Sequence, residues 1–324
     1  MKRSEIEQLV DTLGRDTCGV MTARSLRLGG VQGAEIAALV GTVLERKAKG
    51  IYLQKGAPFT EQTKAHIAIA HAGPGAVLTG LMAARWRKLP WVPESAEALV
   101  LVHPERRRRG TESFILVRCC AWVSQLVTTQ MYAVPVAPVS QAVVDGAREL
   151  DWLQDVRGLV LGAIAQKRCT VEQVRTILAK SATAGTALAR RACLDAERGA
   201  ASPPEAELVD ALIGQGLPFY VNAEIWVDGV LVGIVDVWLV GTGTGAELDS
   251  KQWHGDAAKL DATLDRHARF ERAGLSLCHA TPARFRTNPA AFVAQLRAEV
   301  ARRQPLGRTE PAGMVIVPRG PLLS

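Results

Sequence analysis

Three carboxylates, a lysine and a histidine fall within a 19-residue stretch of this chain, as Asp236, Glu247, Asp249, Lys251 and His254. Acids on neighbouring strands can clamp a hard, oxygen-seeking dication such as Mg²⁺. A cation held there polarises a phosphodiester and lowers the pKa of an attacking water. The flanking pattern places these residues at strand ends. Glu224-Ile225-Trp226-Val227 and Val230 to Val235 bracket Asp228-Gly229, a pair suited to a type I′ hairpin turn. Asp236 falls near the end of the second strand, and Gly241 to Gly245 turn into a third strand that starts at Ala246. Strand alternation then puts Glu247, Asp249 and Lys251 on one face. Acids at strand ends also simply solvate a sheet edge or pair with Lys and Arg, and Trp253 and His254 fit a packed aromatic and its neighbour equally well.

A second constellation occupies the first 56 residues. Ser4 and Glu7 fit a capping box ahead of the apolar positions Ile6, Leu9, Val10 and Leu13. Thr22 suits the N-cap of a short helix to Leu28, and Gly29-Gly30 makes a turn. A third helix is expected from about Gln32 to Arg46, followed by a strand at Gly50 to Gln54. Three short helices, a glycine turn and a strand form a winged helix-turn-helix pattern. The exposed face of the third helix would carry Gln32, Glu35, Ala38, Thr42 and Arg46. Gln32 can read adenine, and Glu35 can accept from cytosine. Arg46, Lys47 and Lys49 would meet phosphates. The same module serves protein contacts in other settings, and an acidic Glu35 suits that use as well.

Between these ends, helices are expected at Thr63–Ala72, Leu78–Leu89 and in four segments between Pro138 and Glu197, with strands at Ala98–His103 and Ser113–Arg118. Arg106, Arg107, Arg108 and Arg109, between those two strands, are the densest positive charge in the chain. They can neutralise phosphates or merely solvate a loop tip. His66 and His71 are five apart and do not share a helix face as metal ligands would. Formal net charge is +7 over 324 residues, which permits nucleic-acid binding without requiring it. Apolar stretches fall far short of the roughly 20 residues that span a bilayer, so no membrane partner is expected. The start of the chain leads into an amphipathic helix and not a signal core, and the six cysteines show no metal spacing. Free thiols and a cytoplasmic setting are expected on that basis. Ser, Cys and His give no sequence signature of a hydrolytic triad.

Ser202-Pro203-Pro204-Glu205 opening a helix, the hairpin ending in Asp236, and Glu247-x-Asp249-Ser250-Lys251-x-Trp253-His254 resemble the very-short-patch-repair-endonuclease-like branch of the PD-(D/E)xK nuclease superfamily over roughly residues 200–303. The resemblance implies Glu205 as the acid of the first helix and Asp236 with Glu247 as the Mg²⁺ pair. Asp249, Lys251 and His254 would orient water or the leaving group, and Arg266, with Arg269 and Arg272, would touch the DNA backbone. The superfamily's Glu-x-Lys is Glu247-x-Asp249 here, so the site is either repaired by Lys251 or degenerate. Gly19-Val20-Met21-Thr22-Ala23, Gly50-Ile51-Tyr52 and Ala76 to Gly80 resemble AbiEi-family antitoxins of type IV toxin–antitoxin systems over roughly residues 4–195. That resemblance implies a transcriptional regulator of its own operon, with a nucleotidyltransferase-like toxin as partner.

The expected architecture is a multidomain α+β / α/β chain. It comprises a winged helix-turn-helix at 1–56, an α-rich middle domain with a small β element at 57–197, a restriction-endonuclease-like α/β domain at 198–303, and a tail at 304–324. The expected function is an antitoxin-like regulator that binds double-stranded DNA. The alternative is an active Mg²⁺-dependent endonuclease directed by the winged helix.

Overall fold

The computed structural model describes residues 2–106, 113–248, 257–307 and 309–324, with side chains of 257–264 left undescribed. The chain is a multidomain mixture of helices and three sheets. It divides into two compact units. The first comprises 1–159 and 168–189, and the second 160–167 and 190–324.

The first unit begins with α1 (Arg3–Gly14), β1 (Val20–Thr22), α2 (Ala23–Leu28), α3 (Gly33–Leu39), β2 (Leu44–Ala48) and β3 (Ile51–Gln54). Their sheet has the order β1-β3-β2, with β3 antiparallel to both neighbours. This is the winged-helix arrangement that the sequence pattern implies. Thr22 caps α2 by accepting from the Ser25 N–H, while Ser25 Oγ accepts the Thr22 N–H. Both faces of the small sheet are buried. Met21 and Leu44 join Ile6, Val10, Leu26 and Ile36 on one side. Val20, Ala48, Ile51 and Leu53 join Ala65, Ile67 and Leu78 on the other. The winged helix therefore shares a core with the α/β segment C-terminal to it.

That segment holds α4 (Glu61–Ala72), β4 (Val77–Thr79), α5 (Gly80–Trp86), β5 (Ala98–Val102), β6 (Ile115–Cys119), β7 (Thr129–Met131), β8 (Val134–Val136), α6 (Val139–Ala147) and α8 (Val171–Lys180), while α7 (Leu153–Ala165) and α9 (Ala187–Glu197) each start in the first unit and end in the second. Its sheet has five strands in the order β6-β5-β4-β8-β7, with β5 parallel to β6 and β4 parallel to β8. Residues 78–79, expected in a helix, belong to β4, and α5 starts only at Gly80. Gly80 has φ 71°, and a Cβ there would run into the Glu149 carboxylate. Below this turn lies a buried polar network. Asp145, 3% exposed, accepts from Thr79 Oγ1 at 2.9 Å, Gln141 Nε2 at 2.8 Å and Arg118 Nη1 at 2.7 Å. One turn on, Glu149 Oε1 accepts the Leu81 N–H at 2.9 Å, and burial pushes its carboxyl up to about 7.

The second unit carries α10 (Pro203–Leu212), β9 (Phe219–Val227), β10 (Val230–Leu239), β11 (Thr244–Leu248), α11 (Ala257–Arg272), β12 (Ser276–Ala280), α12 (Pro282–Thr287), α13 (Pro289–Arg303) and β13 (Met314–Val317). The sheet order is β12-β11-β10-β9-β13, antiparallel except for β11 beside β12. A helix, a three-strand meander, a crossover helix and a fourth strand parallel to the third form the α/β arrangement implied for this region. The last residues belong to the same sheet. β13 pairs with β9, and Glu310 Oε1 accepts from Trp238 Nε1 at 2.9 Å and from the Gly241 N–H at 2.8 Å.

Strand alternation breaks twice along β10, first at the register shift between Leu231 and Gly233 and again near Asp236. Phe219, Val221, Val237 and Leu239 enter one apolar cluster, whereas Ala223, Ile225, Val235 and Trp238 enter the other. Val235 and Trp238 are three apart yet share a side, so the pleat slips at Asp236. On the partner strand, Asn222 has φ 49°. Such irregularities re-aim a side chain at a functional end of a sheet.

Candidate functional site

Asp236 and Glu247 lie on neighbouring strands, one residue beyond the last paired positions of β10 and β11, Val237 and Ala246. Asp236 Oδ2 accepts the Leu248 N–H at 2.9 Å, which holds the end of β11. Glu247 is 3% exposed. Its Oε1 accepts from the Arg266 guanidinium, and its Oε2 lies 3.6 Å from Nδ1 of His279, its parallel partner on β12. Arg266 also donates to the Ile234 carbonyl. The His279 ring stacks on His267 at 4.0 Å between centroids. Both histidines line a cleft of about 530 Å³ that also holds Phe270, Glu271, Arg302 and Arg303.

This arrangement bears directly on the Mg²⁺ expectation. A dication needs carboxylate oxygens that no other cation occupies, yet the charge of buried Glu247 is met by Arg266. Glu205 is turned to another task. Its carboxylate accepts from Ser202 Oγ at 2.7 Å, from the Ala201 N–H at 2.8 Å and from Asn222 Nδ2, and so ties the start of α10 to β9. Among the described residues, no group of three or more His, Cys, Asp or Glu is placed to hold a metal ion. Of the expected Mg²⁺ pair, Glu247 is held by Arg266 and Asp236 by the Leu248 N–H. Asp249, Lys251 and His254 lie outside the described residues.

In the first unit the expected recognition surface is redistributed. The helix expected to run to Arg46 stops at Leu39, because Val40 is extended and Gly41 has φ 90°. Gln32 is the N-cap of α3, and Glu35 Oε2 accepts its N–H at 2.6 Å. That hydrogen bond holds the Glu35 carboxyl below its usual range. Thr42 sits in the turn after α3, donating to the Leu39 carbonyl at 3.1 Å. Arg46 and Lys47 lie on β2, and Lys49 lies at the β2–β3 turn. They belong to the β2–β3 hairpin and not to α3. Lys47 Nζ pairs with Glu45 Oε2 at 2.8 Å and sits 5.0 Å from the Phe59 ring centroid.

Arg106 is exposed, and its Nη1 donates to the Pro74 carbonyl at 2.7 Å. Arg107, Arg108 and Arg109 fall outside the described residues. Arg266, expected at the DNA backbone, is placed on Glu247. Sequence reading did not single out Arg24, His71, His267 or His279 as site residues. The Glu247–His279 pairing joins residues 32 apart through a parallel ladder, and no local spacing announces such a contact. None of the six cysteines forms a disulfide. No helix of the described residues is long and apolar enough to cross a membrane.

No protein-family model matches the chain, and no curated protein matches it. Among solved structures, the crystal structure of the Rv2827c protein from Mycobacterium tuberculosis is similar at 16% identity and a TM-score of 0.42, covering 60% of this chain and 76% of that one. Likeness at that level carries no functional argument.

Proposed function

We propose that this chain is a DNA-binding transcriptional regulator of antitoxin type, whose nuclease-like unit serves as a binding or partner module. The observation that carries this reading is the winged-helix order α1-β1-α2-α3-β2-β3 with Arg46 and Lys49 exposed along its wing. Phosphates are met by such cations, and released counterions supply the affinity. The ion pair of Glu247 with Arg266 supports the loss of metal chemistry, because it fills with protein charge the position a dication would take. A nucleotidyltransferase-like toxin is the partner that the antitoxin resemblance implies.

The test is fluorescence anisotropy with labelled duplexes, one from upstream of the chain's own gene and one scrambled, in EDTA. Metal-independent preference for the upstream duplex is expected. Equal weak binding to both sinks the regulator reading. A Mg²⁺-dependent endonuclease stays in view only through the placement of Asp236 and Glu247 just beyond the paired ends of the neighbouring strands β10 and β11. Plasmid nicking in Mg²⁺ or Mn²⁺ that Asp236→Ala abolishes would replace the regulator reading with that one.

A further inference from the structure

The third helix of a winged-helix module is the element usually laid in the major groove. Here α3 reads Gly33-Ala34-Glu35-Ile36-Ala37-Ala38-Leu39, which contains no cation and one half-buried carboxylate. Inserted between two phosphate backbones, it would bring negative charge and a single capping amide. The cations lie elsewhere in the first unit. A cleft of about 720 Å³ opens beside the wing turn, between the start of α2 and the turn after α4. Its lining includes Arg24, Lys49 and His71, and no aspartate or glutamate.

Arg24 and Lys49 are brought together by the backbone, since the Ala23 N–H donates to the Gly50 carbonyl at 2.8 Å. Across the cleft, Gly73-Pro74-Gly75 forms the opposite rim. Arg106 is fixed to that rim by its bond to the Pro74 carbonyl, with Nη1 3.9 Å from the position a Cβ of Gly75 would take. Arg24, Lys49 and Arg106 are all exposed. The nearest acid in sequence, Glu105, has its carboxylate 3.5 Å from His103 Nδ1.

We propose that the wing turn and this cleft, and not the face of α3, form the principal contact with DNA, with Arg24, Lys49 and Arg106 holding the phosphates of one strand of a duplex. This inference rests on the DNA-binding reading above and says where on the first unit the duplex lies. Binding led by backbone charge has a steep salt dependence, and each phosphate contact removed lessens the slope of log K against log salt by about 1.

The experiment measures duplex affinity of the full chain across a salt series. It compares wild type, a triple variant Arg24→Ala/Lys49→Ala/Arg106→Ala, a charge-preserving Lys49→Arg, and Gln32→Ala/Glu35→Ala on the α3 face. Circular dichroism and thermal midpoints check that each variant is folded. The triple variant is expected to bind at least ~10-fold more weakly, with its slope lessened by about 3, while Lys49→Arg and the α3 variant bind like wild type. If the triple variant keeps wild-type affinity and slope while the α3 variant weakens binding, the inference is overturned and the DNA-binding reading stands. If wild type binds no duplex at any salt, that reading itself falls.

Discussion

A carboxyl that folding keeps protonated makes stability depend on pH, and Glu149 is such a group. Its value near 7 lies above the ordinary 4.5, because burial outweighs the help of the Leu81 N–H. The folded state then binds the proton more tightly than the unfolded chain. The stability this confers is complete below about pH 4.5, falls between 4.5 and 7, and is gone above 7. Across that window the loss attributable to Glu149 is on the order of 3 kcal/mol. Glu149→Gln keeps an oxygen for the Leu81 N–H without the charge. It is expected to be more stable than wild type at pH 8 and equal to it at pH 4.5, by urea unfolding at both values. A variant less stable at pH 8 would show that the carboxylate form is favoured in the fold. Nothing in the run from Gln141 to Glu149 announced this group, since its environment comes from α5 and the sheet.

At the scale of elements, turns were more legible than helix lengths and caps only in part, since α1 is capped at Lys2, whose N–H donates to Glu5, and not by Ser4 with Glu7. Thr22 was readable as an N-cap because a β-branched hydroxyl before a short amphipathic run has little other use. The end of α3 was misjudged for a physical reason. Ile36, Leu39, Val40, Val43 and Leu44 fit a helical stripe, yet Gly41 adopts φ 90° and Leu44 continues as a strand buried in the same core. Periodicity alone cannot separate one buried helix from a helix and a strand that feed one cluster. In the second unit, the hairpin at Asp228-Gly229 and the antiparallel pairing of β10 with β11 were legible because a meander keeps pairing local. The partners of Glu247 on α11 and β12 were not, because a crossover connection supplies them.

Glu205 shows how an element can claim a residue expected in chemistry. Glu205→Ala is expected to cost about 1–2 kcal/mol in stability through the lost cap and the Asn222 contact, with duplex affinity unchanged. A variant as stable as wild type, compared by thermal melting, would return this carboxylate to the candidate functional groups.

Over the whole molecule, two compact units should melt as two transitions, since a chain of this kind need not unfold as one cooperative block. Phe270, 1% exposed, packs with Val235 and Trp238 in the second unit. Phe270→Ala should remove about 3–5 kcal/mol from that unit, lowering one calorimetric midpoint by roughly 10 °C and leaving the other in place. A single transition that moves as a whole would show the units to be one folding block. The division itself was only partly legible. The breaker-rich stretch Arg198 to Pro204 marks a change of element, but residues 160–167 and 190–197 already belong to the second unit. They read as ordinary helix, and Leu161 and Ala196 reach Ala200 and Ala206 by packing alone. The chain therefore passes between its units at three junctions, near 159, 167 and 189. One proteolytic nick cannot part them cleanly, and a cut at any single junction leaves at least one unit without a segment that belongs to it.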